Sequence, residues 1–153
     1  MNAAELVEPR SRTLVFDALL ESLCADGRVT DREAEAAESA ASALALPLGA
    51  SVTDAPPWDA RLLGAVPPTE LERAMVVASA AWGAMIDDEP GVHAGATVER
   101  IATNMGVGPA RMRALVALAR RVRQSSAGRV PFRHEFNLLA LSVARFAAAR
   151  EPG

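Results

Sequence analysis

An uncharged run from Ala74 to Ile86 spans 13 residues of almost unbroken apolar and small side chains. A bilayer crossing needs about 20. The run is too short for a membrane helix and suits a helix buried in a protein core. A second stretch behaves alike. From Arg12 to Asp26 the residues Leu14, Val15, Phe16, Leu19, Leu20, Leu23 and Cys24 cover most of a helix circumference, interrupted chiefly by Asp17 and Glu21. Two such rods hide their surfaces only against each other and against further helices, which predicts an all-α domain. Alternating runs of β-branched and aromatic residues, the mark of strands, are absent. With 153 residues the chain is one domain, long enough to bury a core without staples.

Start and stop signals divide the rest. Gly27 stops the first rod, since glycine takes a left-handed conformation without a Cβ penalty. Thr30 and Glu33 form a capping box for a helix to about Leu46, whose inner row is Ala34, Ala37, Ala41 and Leu44. Pro47 ends it. Five of the ten prolines fall between Pro47 and Pro68, a connection expected to carry a short helix near Trp58 to Gly64, pinned by Trp58, Leu62 and Leu63. Thr69 and Glu72 form a second capping box, for a helix to Asp87. Helices from Pro90 to Met105, from Pro109 to Gln124 and from about 132 to 150 complete six long helices and one short one. On the helix from Pro109, the stripe Met112, Leu115, Val116, Ala119 and Val122 faces inward, while Arg113, Arg120 and Arg121 point away.

A shift of 61 residues aligns Asp26 with Asp87, Ala37 with Val98, Glu38 with Glu99, Ala41 with Ala102 and Leu44 with Met105. Two helix-loop-helix units are therefore expected, about 12–46 and 69–124, joined by the connection 47–68 and closed by the last helix. The segment Cys24-Ala25-Asp26-Gly27-Arg28-Val29-Thr30-Asp31-Arg32-Glu33 resembles the TerB-like family, named for a tellurite-resistance protein and similar to the N-terminal part of certain membrane-anchored DnaJ-type co-chaperones. The resemblance covers about residues 12–124. It implies an all-helical pseudo-twofold domain linked to stress or metal response, with the acidic motif residues as a cation site. The second unit departs from the pattern: Asp87 is kept, but Asp88 stands at the glycine position and Ala94 at the glutamate position.

Three chemistries are open to these residues. Asp26, Asp31 and Glu33, with Asp87, Asp88 and Glu89 if the two turns adjoin, could supply oxygens to calcium or magnesium. The plainer reading is that Asp31 and Glu33 serve the N-terminus of their helix. Charge offers the second. Residues 1–99 hold 6 arginines against 17 acids, −11, and residues 100–153 hold 10 arginines against 2 acids, +8. An arginine face at Arg111, Arg113, Arg120, Arg121 and Arg123, with Arg113, Arg120 and Arg121 foremost, could take an anion or nucleic acid, or be solvated and paired within the fold. The third, an enzyme, lacks a nucleophile and base at recognisable spacing: Cys24 reads as a small buried hydrophobe, and His93 and His134 lack metal-site partners.

The expectation is a non-enzymatic interaction module acting through another protein, with a weak divalent-cation site at the acidic turns, and an anion or nucleic-acid binder as the alternative. A homo-oligomer is compatible with it, and no membrane span is expected. The acidic stretch Met1 to Arg10 has no apolar core of signal-peptide type, so a cytoplasmic location is expected.

Overall fold

A computed structural model of the chain describes residues 2–25, 27–46, 66–87 and 92–150. Among the described residues there are helices and turns and no strand. The helices are α1 (Ala3–Leu6), α2 (Pro9–Leu23), α3 (Asp31–Ala43), α4 (Glu70–Ala84), α5 (Val92–Asn104), α6 (Pro109–Ser126) and α7 (Phe132–Arg150). The short helix expected near Trp58 to Gly64 lies outside the described residues, as does Trp58 itself.

The two apolar rods form the centre. Every residue of α4 from Ala74 to Gly83 is buried, and on α2 Leu14, Val15, Phe16, Ala18, Leu19, Leu20 and Leu23 are buried. They run parallel, side by side. The Ser79 hydroxyl donates to the Val15 carbonyl at 3.1 Å, and a Cβ on Gly83 would come within 2.6 Å of Leu19 Cδ1 and 3.1 Å of the Leu19 carbonyl oxygen. Contact partners thus advance together along both helices, and the absent side chain at Gly83 sets how closely they approach. Around this pair, α4 also packs against α3, α5, α6 and α7.

Equal lengths recur at the 61-residue offset. Both α2 and α4 have 15 residues, and both α3 and α5 have 13. Their ends are alike too. After α3, Ala45 takes φ +56° and the Leu46 N–H reaches back to the Ala41 carbonyl; after α5, Gly106 takes φ +69° and the Val107 N–H reaches the Ala102 carbonyl. Each closes the orphan carbonyls of its last turn.

The Thr30 capping box forms as expected: the Glu33 N–H donates to Thr30 Oγ1 and the Thr30 N–H to Glu33 Oε1. At the second box Thr69 Oγ1 accepts from the Glu72 N–H, but the Glu72 carboxylate accepts from the Thr69 hydroxyl at 2.7 Å. Glu72 is buried where α2 begins. Burial pushes its carboxyl pKa up, yet hydrogen bonds from the Ser11 and Thr69 side chains and the Glu8 backbone, with the charge of Arg10, hold it below the ordinary value. One carboxylate therefore sits at the positive ends of both central rods.

Three boundaries differ from the sequence reading for a common reason. Helices expected to reach Asp26, Leu46 and Asp87 stop at Leu23, Ala43 and Ala84. Leu44, Met85 and Ile86 lie beyond those ends yet remain buried. Apolarity follows burial, and the turns after the helices stay in the core. Cys24, expected as a small buried hydrophobe, is the C-cap of α2 and only half-buried. The helix α1 was not foreseen. Four residues carry no periodicity, and what holds α1 is remote: the Ala3 N–H donates to Asn137 Oδ1 at 2.8 Å, and the Arg12 guanidinium donates to the carbonyls of Ala4 and Val7.

Candidate functional site

Between α4, α5 and α6 lies a half-open cleft of about 340 Å³. Its apolar wall is made by Met85, Val98, Met112 and Val116, with Ala81 and Ala84 behind them. The origin of the gap is local. α4 packs on α2, and its Ala81, Ala84 and Met85 form one side of the cleft. Met112 and Val116 stand one turn apart on α6 and face the same way. Arg113 and Arg120 line the same cleft, two turns apart and about 10 Å along the helix axis. Both are exposed, and neither makes an ion pair or hydrogen bond with a described residue. Glu99 of α5 is the remaining charged group in the lining.

Gly95 completes the cleft. It lies inside α5, three residues after its first residue, and a Cβ built there would meet nothing within 4 Å. It has no positive φ of the kind seen at Gly27, Gly106 and Gly128. Neither a turn nor a close contact accounts for glycine at this position, although glycine inside a helix costs about 1 kcal/mol relative to alanine.

Of the sequence-derived cation residues, the described ones, Asp31, Glu33 and Asp87, do not line this cleft. Thr30 Oγ1 donates to Asp87 Oδ2 at 2.7 Å, so the two acidic turns do adjoin. Glu33 Oε1 is engaged by the Thr30 backbone, and Asp31 is exposed. Among the described residues no three His, Cys, Asp or Glu side chains gather as a metal-binding group. Asp26, Asp88 and Glu89 lie outside the described residues.

The arginine face divides. Arg113 and Arg120 look into the cleft, whereas Arg121 lines a separate groove of about 460 Å³ with Arg145, Ser125, Ser142 and an apolar floor of Leu118, Val122 and Phe146. Arg111 pairs with Glu70 and lies over the Phe146 ring, 5.4 Å from its centroid. Arg123 turns inward. Its Nη1 donates to both carboxylate oxygens of Glu135 at 2.9 Å, and the guanidinium lies 5.6 Å from the Phe132 centroid. Trp82 Nε1 donates to the same carboxylate, and the indole meets Phe132 and Phe136 edge to face. Trp82, Phe136, Glu135 and Arg123 are buried, Phe132 is partly exposed at the edge, and the cluster serves the core.

Sequence reasoning found Arg113, Arg120 and the apolar stripe of α6, and missed the cleft that joins them. One signal was available: Gly95, an isolated glycine within a helical pattern. No family model, curated protein or solved structure matches the chain.

Proposed function

We propose that this chain is a binding module rather than a catalyst, and that the α4–α5–α6 cleft takes the apolar part of its ligand while Arg113 and Arg120 hold an anionic part. One observation carries the reading: an apolar recess of ligand size is bordered by two arginines that no described acid neutralises. Pockets of this size, mostly apolar with a few convergent polar groups, are the usual form of small-ligand sites. The test uses anilinonaphthalenesulfonate, an apolar anion. It should bind the folded protein saturably at one site. Val116→Glu, which sets a carboxylate in the apolar wall, should abolish that binding while the helical circular dichroism stays unchanged. Equal binding by both proteins excludes the cleft.

A second reading is the interaction module with a divalent-cation site that the TerB-like resemblance implies. The Thr30 to Asp87 hydrogen bond favours it, because it draws the two acidic turns together. Ligand linkage supplies the test: millimolar calcium or magnesium should raise the unfolding midpoint of the wild type and not of Asp26→Ala. No shift in the wild type removes this reading.

A further inference from the structure

We infer that the cleft ligand is a linear alkyl chain ending in a single carboxylate, with the chain entering past Gly95 and the head group at the arginine rim. The inference rests on the binding-module reading above and names its ligand class.

Three features select this chemistry. Gly95 selects shape. A Cβ there would meet no described atom within 4 Å, so its absence leaves open space at the cleft edge. The residue 61 positions earlier, Ala34 on α3, bears the side chain that Gly95 lacks. Removing a methyl from a helix costs backbone order and gains nothing unless something else occupies the volume. The wall selects an alkyl chain: Met85, Val98, Met112 and Val116 offer methyl and thioether surfaces, and the described lining residues include no aromatic ring to stack on and no side-chain hydroxyl or amide to bind a polar chain. Methionines adapt to a flexible chain.

The rim selects the head group. Two arginines and one glutamate give it a net charge of +1. A carboxylate, singly charged, matches that balance and suits the planar guanidinium fork. A phosphate monoester carries about −1.5 to −2 near neutral pH and would bring its second charge against Glu99. A cationic head meets two like charges.

The experiment is calorimetric titration of the wild type, below micelle-forming concentrations, with decanoate, decyl phosphate, decanol and decyltrimethylammonium. Decanoate should bind at one site, at least tenfold tighter than each of the other three. Shortening the carboxylate from decanoate to hexanoate should weaken binding about fourfold per methylene, the factor expected for about 0.8 kcal/mol of buried CH₂. Gly95→Leu sets its Cβ in open space at the cleft edge and raises helix propensity, so it should stay folded with an unfolding midpoint at or above wild type while losing decanoate affinity at least tenfold. Arg113→Ala with Arg120→Ala should lose head-group preference, bringing decanoate down to decanol. Glu99→Gln should narrow the gap between decyl phosphate and decanoate.

The outcomes separate the two claims. Decanol or decyltrimethylammonium binding as well as decanoate overturns the carboxylate assignment and leaves the cleft as the site. Undiminished binding in folded Gly95→Leu overturns entry past Gly95. Wild-type protein that binds none of the four probes, nor anilinonaphthalenesulfonate, ends the binding-module reading itself.

Discussion

The indole Nε1 of Trp82 donates to Glu135 Oε2 at 2.6 Å, with both residues all but sealed from solvent. The same carboxylate holds Arg123, which is only 7% exposed. A buried ion pair adds little net stability over an apolar substitute, but breaking it strands a charge. Glu135→Ala and Arg123→Ala should each cost about 3–5 kcal/mol in urea unfolding. Because the stranded charge is the main cost, the double variant should cost clearly less than the two added together. Additive losses in that cycle would show that the two groups do not stabilise one another.

Glu72 predicts a pH dependence. Its folded pKa is depressed, so its contribution is fully present above the unfolded value of about 4.3 and is lost as pH falls through the lower folded value. Glu72→Gln should therefore be less stable than wild type at pH 7. The two should converge in strongly acidic solution, where the wild-type carboxyl is protonated as well. Thermal unfolding from pH 7 down to pH 2 measures the convergence, and a constant gap across that range contradicts it.

Two helical glycines should respond oppositely to alanine. At Gly83 the new Cβ would press on Leu19, whose side chain is fully buried and whose carbonyl cannot yield freely. Gly83→Ala should destabilise by about 1–3 kcal/mol. At Gly95 the space is empty, and Gly95→Ala should stabilise by about 0.5–1 kcal/mol. Chemical denaturation of both variants decides, and a shared sign would mean that inter-helix contact does not distinguish the sites.

Ala45 sits at φ +56°, a conformation that costs an L-residue roughly 1–2 kcal/mol. Ala45→Gly should recover about 1 kcal/mol without altering α3, provided its cap is as tight as that after α5, where glycine already stands at Gly106. A fall in the denaturation midpoint would refute this.

What could be read in the sequence follows from how each element is held. The rods α2 and α4 were legible because a helix buried all round carries its environment in its own composition. The capping boxes were legible because donor and acceptor lie three residues apart. Arg123 was not: it sits beside Arg120 and Arg121 in a polar run, and nothing local says that it faces a carboxylate on the next helix. α1 was hidden because Asn137 holds it from 134 residues away. For the site, periodicity gave the sidedness of α6, but a cleft is space left between three helices, and only Gly95 hinted at it.

The parallel course of α2 and α4 bears on how the chain reaches this state. Val15 and Ser79 meet across a sequence separation of 64, so the central contact forms only after a long loop has closed. During synthesis, α2 leaves the ribosome with Leu19 and Leu23 bare and waits until residue 84 has followed. In that interval the nascent chain carries a sticky surface with no partner of its own, and a chaperone that shields aliphatic helices would raise its yield of native protein.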